Sequence, residues 1–118
     1  FPMPRRHGQA ERLSAVMKWL DENLAAPTTL SEIAQRVGMT ERTLLRHFKA
    51  STGQTPMDWL VQRRVARARS LIESSDLSIG EIAIETGFGS AEALRYHFSR
   101  LMSAPPSAYR RGGLRPDP

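Results

Sequence analysis

The chain has 118 residues, which suits one small domain or two very small ones that share a core. It contains no cysteine, which excludes disulfides, thiolate metal sites and cysteine nucleophiles, and it has no apolar run of the roughly 20 residues that a membrane span needs. The net charge is +5, and every basic residue except Lys18 and Lys49 is an arginine. Forked arginine donors suit phosphates and guanine edges, so the charge favours nucleic acid or another anionic partner, although an arginine-rich proteome gives the same composition.

The first predicted elements are two helices. Apolar residues in the segment 9–24 recur at the spacing of one buried helix face, and Pro27 stops this helix. The sequence TLSE at 29–32 is a capping box, in which the threonine side chain and the glutamate carboxylate each bond the other residue's backbone. It predicts a short helix that ends at Gly38, because glycine takes the left-handed terminal conformation at little cost.

A third and a fourth helix follow. Thr40 can cap a helix over 41–51, and a glycine two residues beyond can end it. The segment 57–74 has an apolar stripe with arginines around the remainder, and it predicts a rod of about 27 Å. For Arg64 and Arg67 two roles stay open, namely a solvated face or ion pairs with acids of neighbouring helices.

The pattern then repeats. SIGE at 78–81 is a second capping box, and GFGSAEALRYHF at 87–98 repeats GMTERTLLRHF at 38–48 with one inserted residue, Gly89. Each copy is a short helix, a tight turn and a second helix, which is the helix-turn-helix plan that places its second helix in the DNA major groove. The predicted fold class is therefore all-α, with two helix-turn-helix subdomains joined by a long linker helix.

The core of each copy is predicted from apolar spacings of three and four. The expected core residues are Ile33, Ala34, Leu44 and Phe48 in the first copy and Ile82, Ala83, Leu94 and Phe98 in the second. Trp59 and Tyr109 each follow a proline by three residues, and we expect them to anchor these cores. His47 and His97 occupy equivalent positions in different copies, so we expect structural or phosphate-contacting roles and no joint metal site.

The outward face of the second helix in the first copy is mostly basic. Arg42 or Arg46 can grip guanine O6 and N7 with two hydrogen bonds, worth about 1–3 kcal/mol of discrimination, and Leu45 can touch a thymine methyl group. Thr40 and the first backbone amides can hold a phosphate at the helix N-terminus, and Lys49 is a further predicted phosphate contact.

The corresponding face of the second copy is less basic. Its outward residues are Ala91, Glu92, Arg95, Tyr96 and Ser99, and Ser90 and Ser99 are predicted phosphate contacts. Arg95 can read a base or bind a phosphate, and Glu92 can accept from cytosine N4 or simply favour the helix N-terminus. We therefore expect this copy to contribute less sequence discrimination than the first.

Three segments carry a family resemblance: LSEIAQRVGMTERTLLRHFKASTGQTPMDWL, RRVARARSLIESSDLSIGEIAIETGFGS and HFSRLMSAPPSAYR. They resemble the DNA-binding domain of AraC/XylS-type bacterial transcription regulators, over residues 13–111. The resemblance implies about seven homeodomain-like helices in all, with two recognition helices in successive major-groove segments about 34 Å apart. It also implies base contacts at the positions of Arg42, Leu45, Arg46, Ala91, Glu92, Arg95 and Tyr96. One departure is Ser103, which stands where the family usually has a glycine like Gly53, and this puts the local turn geometry in question.

The predicted organisation is a linker remnant at 1–8, a first subdomain at 9–55, a linker helix at 56–75, a second subdomain at 76–111 and a disordered tail at 112–118. The opening PRRHGQAERL and the second copy also resemble the GlxA-like subgroup, which carries an amidotransferase-like domain before the DNA-binding part. The chain does not begin with Met, so we expect it to be part of a longer protein. The family resemblance implies that an N-terminal effector or dimerisation domain is missing here.

The function predicted from the sequence is sequence-specific binding of double-stranded DNA by a bacterial transcription regulator. We expect a cytoplasmic, nucleoid-associated protein with RNA polymerase as a further partner and with no membrane, cofactor, metal or catalytic residue. The alternative is a helical protein-interaction module whose basic faces meet an acidic partner. Neither a histidine pair at metal-ligand spacing nor a glycine-rich phosphate loop supports an enzyme, and the sequence indicates no exposed aromatic platform for RNA.

Overall fold

The computed structural model describes the backbone of residues 4–110 and the side chains from residue 10 onward. Within this part the fold is all-α, as predicted, and its helices are α1 Pro4–Glu22, α2 Leu30–Val37, α3 Glu41–Thr52, α4 Pro56–Ser74, α5 Ile79–Glu85, α6 Ala91–Met102 and a 3-10 helix at Pro106–Tyr109. The 3-10 helix stands where a seventh helix was expected. In the described range, none of the helices has the length and apolar character of a membrane span.

The chain divides into two compact units, Phe1–Leu60 and Val61–Pro118, which we call the N-terminal and C-terminal units. The division falls inside α4, whose Leu60 packs in the core of the N-terminal unit while Val65 and Ala68 pack in that of the C-terminal unit. The predicted linker helix therefore supplies core residues to both units. Of the predicted terminal segments, residues 1–3 and the tail at 112–118 lie outside the described residues.

In the N-terminal unit, α1 packs on α2 and α2 packs on α3. α1 begins at Pro4, earlier than the predicted start near Gln9, because proline is tolerated in the first turn of a helix. The predicted capping box forms: the Thr29 backbone N–H donates to Glu32 Oε1 at 2.9 Å, and the Glu32 N–H donates to Thr29 Oγ1 at 3.1 Å. Gly38 ends α2 in the left-handed region at φ 73°.

In the C-terminal unit, α5 packs on α6 and α6 on the 3-10 helix. The second capping box also forms, with bonds of 2.8 and 3.1 Å between Ser78 and Glu81. The α5–α6 turn differs from its counterpart because α5 ends at Thr86 with φ −103°, and two glycines of positive φ follow. The Thr86 hydroxyl is fully buried and donates to the carbonyl of Ile82 at 2.7 Å.

Ser103 ends α6 with the same left-handed backbone conformation that Gly53 gives to the end of α3. It occupies the left-handed region at φ 59° and ψ 24°, and its backbone N–H donates to the Ser99 carbonyl, just as Gly53 at φ 78° donates to the Lys49 carbonyl. Ser103 is the one non-glycine residue with positive φ in the described range. The turn geometry is thus the same in both units, and the C-terminal unit holds it with a residue that favours it less.

The structure excludes one of the two roles expected for Arg64. A solvated face was one of its two expected roles, but the side chain is only 9% exposed, and burial lowers its pKa. Arg67, one of its neighbours on α4, is exposed. A solvated arginine and a buried one look alike in a helix pattern, because the long apolar stem lets either lie along a core.

Candidate nucleic-acid interface

The cores fix which side of each second helix faces outward. Leu44 and Phe48 on α3, and Leu94 and Phe98 on α6, are fully buried, as are Ile33, Ile82 and Ala83, with Ala34 4% exposed. Trp59 packs edge-on against Phe48 with ring centroids 5.9 Å apart, and Tyr109 packs edge-on against Phe98 at 5.4 Å. The opposite faces of α3 and α6 are therefore left to solvent.

The outward face of α3 is basic and open. Arg42, Arg46 and Lys49 are all exposed, and Leu45 is 38% exposed between them. None of the three cations has an ion-pair partner within the described part of the chain. Their charge is consequently uncompensated, which is the state that attracts phosphates and acceptor groups of base edges.

The N-termini of α3 and α6 differ in the use of their capping hydroxyls. Thr40 Oγ1 accepts from the Thr43 N–H at 3.1 Å and also donates to Thr43 Oγ1 at 3.0 Å. Ser90 Oγ accepts from the Ala93 N–H at 3.1 Å. A phosphate at α3 would thus meet backbone N–H groups rather than the Thr40 hydroxyl, whereas the Ser90 hydroxyl retains a proton to donate.

The outward face of α6 is mixed in character. Glu92, Arg95 and Tyr96 are exposed, whereas Ala91 and Ser99 are half-buried. The face thus presents one acid, one base and one aromatic ring where α3 presents cations. That the second copy contributes less sequence discrimination than the first stays a prediction.

Tyr96 belongs to a run of side chains that the sequence analysis did not identify. His97 stacks on Phe88 with centroids 5.4 Å apart and an interplanar angle of 22°, and Tyr96 meets the His97 ring edge-on at 5.1 Å. The Arg100 guanidinium lies over the Tyr96 ring at 5.8 Å. Burial, followed by the charge of Arg100, lowers the pKa of His97, so the imidazole is neutral near pH 7.

Arg110 has a role that the sequence did not indicate. Its Nη2 donates to the Leu77 carbonyl at 2.7 Å, and its Nη1 donates to the carbonyls of Ser75 at 3.2 Å and Ile72 at 3.5 Å. These carbonyls lie at and just beyond the end of α4. The guanidinium therefore satisfies groups that a helix C-terminus leaves without intrahelical partners.

Two helix-turn-helix pairs, each with an exposed second helix, define a tandem helix-turn-helix protein. A family model described as a helix-turn-helix domain matches residues 33–112. The chain is similar to the transcriptional activator RhaS of Salmonella schwarzengrund, with 35% identity over 101 residues that make up 86% of this chain and 36% of that protein. The chain belongs to the AraC/XylS-type helix-turn-helix family.

Solved structures agree with this assignment. The DNA-binding domain of AdpA, crystallised with a target DNA, is 40% identical with a TM-score of 0.82, and the match covers 84% of this chain and 89% of that one. A regulator from Chromobacterium violaceum with an AraC-type DNA-binding domain is 26% identical with a TM-score of 0.79, covering 94% of this chain and 99% of that one. The chain spans little more than a third of the length of the curated relatives it matches.

Proposed function

We propose that this chain is the sequence-specific double-stranded DNA-binding domain of a bacterial transcription regulator. The observation that carries the proposal is the outward face of α3, where Arg42, Arg46 and Lys49 are exposed and uncompensated. The likeness to the AdpA domain, which was crystallised with a target DNA, supports it independently.

The two recognition helices divide the task in this proposal. Arg42, Leu45 and Arg46 on α3 contact bases, and so do Ala91, Glu92, Arg95 and Tyr96 on α6. Thr40 through its backbone, Lys49, Ser90 and Ser99 contact phosphates. By the family resemblance, α3 and α6 enter successive major-groove segments about one helical turn apart, so the site has two half-elements about 10 base pairs apart.

The wider context is proposed on the same family grounds. A longer protein of the GlxA-like subgroup would carry an effector or dimerisation domain before this one and would contact RNA polymerase when bound to DNA. Such a regulator acts in the cytoplasm, at the nucleoid. Chromatography of the full-length protein with RNA polymerase, with and without operator DNA, tests this part separately.

The direct test of DNA reading is selection from random duplexes, followed by a comparison of two variants on α3. Arg46→Ala removes a proposed base contact and should relax preference at one base position by about 1–3 kcal/mol. Lys49→Ala removes a proposed phosphate contact and should weaken all sequences alike, reducing the slope of log K against log salt by about 0.9.

Comparing the two variants shows whether Arg46 contacts a base and Lys49 a phosphate. If Arg46→Ala leaves the preferred site unchanged, the base role of Arg46 is wrong. If the wild-type domain enriches no sequence at low salt, the alternative function stands, namely a protein-interaction module with a basic face.

A further inference from the structure

Tyr96 is the one exposed aromatic side chain in the described part of the chain, at 63% of its surface. It stands on the outward face of α6 at the position that Arg46 occupies on α3. An exposed ring of this size presents apolar surface to water, and among the described residues Tyr96 is not one of those that form or pack against the core of the C-terminal unit. Its placement therefore points to a contact outside the chain.

The ring is nevertheless held in place. His97 meets it edge-on at an interplanar angle of 80°, and Arg100 lies over its face. His97 is in turn stacked on Phe88, which packs against the core of the C-terminal unit. The exposed ring is thus connected to the core through two intermediate rings, those of His97 and Phe88.

This arrangement matters for binding because an exposed side chain loses rotamer freedom when a ligand immobilises it. A ring already held by neighbours has lost part of that freedom before binding, so more of the contact energy appears as affinity. The imidazole of His97 suits this task as a flat, neutral ring. Its Nδ1 is buried and has no hydrogen-bond partner among the described residues, so polar bonding through this atom does not explain its position.

Duplex DNA limits what such a ring can meet. Bases in a duplex stack on one another and show only their edges in the major groove, where the one apolar edge group is the thymine methyl. We propose that Tyr96 reads a thymine through contact with its methyl group, and that His97 is the residue that positions the Tyr96 ring. This inference rests on the proposed DNA-binding function.

The N-terminal unit provides an internal control. His47 matches His97 and Arg46 matches Tyr96, but no ring contact joins His47 to an aromatic side chain within residues 10–110. The residue after the turn glycine is Met39 in one unit and Phe88 in the other. A histidine variant should therefore alter thymine recognition only in the C-terminal unit.

The first experiment uses the selected operator with each thymine of the α6 half-element replaced by uracil, which removes the methyl group and nothing else. Wild-type affinity should fall about three- to fivefold at one position, the worth of burying one methyl group. Tyr96→Phe should keep this thymine-to-uracil ratio, and Tyr96→Ala should abolish it. If Tyr96→Phe abolishes the ratio as well, the ring carbons alone do not make the contact, and the proposed contact of the ring with the methyl group is wrong.

The second experiment separates positioning from hydrogen bonding. His97→Phe keeps a ring in the stack and should keep the ratio, whereas His97→Asn keeps polar atoms without a ring and should at least halve it. His47→Asn is the matched control and should leave the ratio unchanged. For each variant the melting temperature and the affinity for a scrambled duplex are also measured. A variant that only damages the fold changes these two quantities, whereas a variant that only misplaces the Tyr96 ring does not.

The outcomes distinguish this inference from the proposed function. If the wild type selects a specific site but uracil replacement has no effect, or His97→Asn behaves as wild type, the inference is wrong and DNA reading stands. If His97→Asn fails to fold, His97→Phe decides: loss of the ratio in that folded variant overturns the positioning role. If the wild type selects no site, both proposals fall together.

Discussion

Replacing Arg110 with methionine should destabilise the C-terminal unit by about 1.5–3 kcal/mol. Two of its three hydrogen bonds are well formed, at 2.7 and 3.2 Å, and the one of 3.5 Å is marginal. A hydrogen bond to a charged group contributes about 1.5–3 kcal/mol when buried, and two give at most about 6. Arg110 is half-buried, so water can recover roughly half of this. Methionine retains most of the apolar stem, so the remaining loss belongs to the guanidinium.

The assay is urea unfolding combined with hydrogen exchange of the amides of α5 and α6, which isolates the C-terminal unit from the other. Arg110→Lys should lose about half as much as Arg110→Met, because one ammonium cannot serve separate carbonyls as a fork does. Arg95→Met is the control, since Arg95 is exposed and should change stability by less than about 0.5 kcal/mol. A loss below that value for Arg110→Met, or a lysine variant equal to wild type, would refute the forked-bond argument.

Two further predictions concern the helix ending and pH. Ser103→Gly should stabilise the C-terminal unit by about 0.5–1 kcal/mol and Gly53→Ser should destabilise the N-terminal unit by a similar amount, measured by denaturant unfolding, because both positions have positive φ. A Cβ at Gly53 meets no atom within 4 Å, so a much larger loss there would contradict a purely conformational cost. The lowered pKa of His97 means that protonation favours the unfolded chain. The free energy of unfolding is therefore highest above about pH 6.5 and declines as the pH falls below it, and His97→Phe should flatten that decline in urea titrations at pH 7.5 and 5.5.

Features encoded within a few neighbouring residues were predictable from the sequence. The capping boxes at 29–32 and 78–81 form with their predicted bonds, because cap, first turn and partner all lie in one four-residue stretch. The inward positions of α3 and α6 were equally predictable, since helical spacing fixes which residues share a face.

Features that depend on distant residues were not predictable. Arg110 meets carbonyls more than 30 positions earlier in the chain, and no local pattern marks such a partner. The stack of His97 on Phe88 bridges the α5–α6 turn, so it depends on where that turn places the two rings. The burial of Arg64 likewise depends on neighbours, because the helix pattern itself fits a solvated arginine equally well.

The comparison of the two units suggests why their outward faces can differ so much. A truncated core leucine such as Leu44 or Leu94 costs about 2–5 kcal/mol, whereas a surface substitution usually costs less than about 0.5. An exchange between arginine and tyrosine at position 46 or 96 therefore changes the stability of the fold very little. An exposed tyrosine, however, gains from a support that an arginine does not need, and the C-terminal unit has that support in the ring of Phe88 where the other has Met39. Under the proposed DNA-binding function, the change from Met39 to Phe88 behind the outward face and the change from Arg46 to Tyr96 on it belong to one change in binding chemistry.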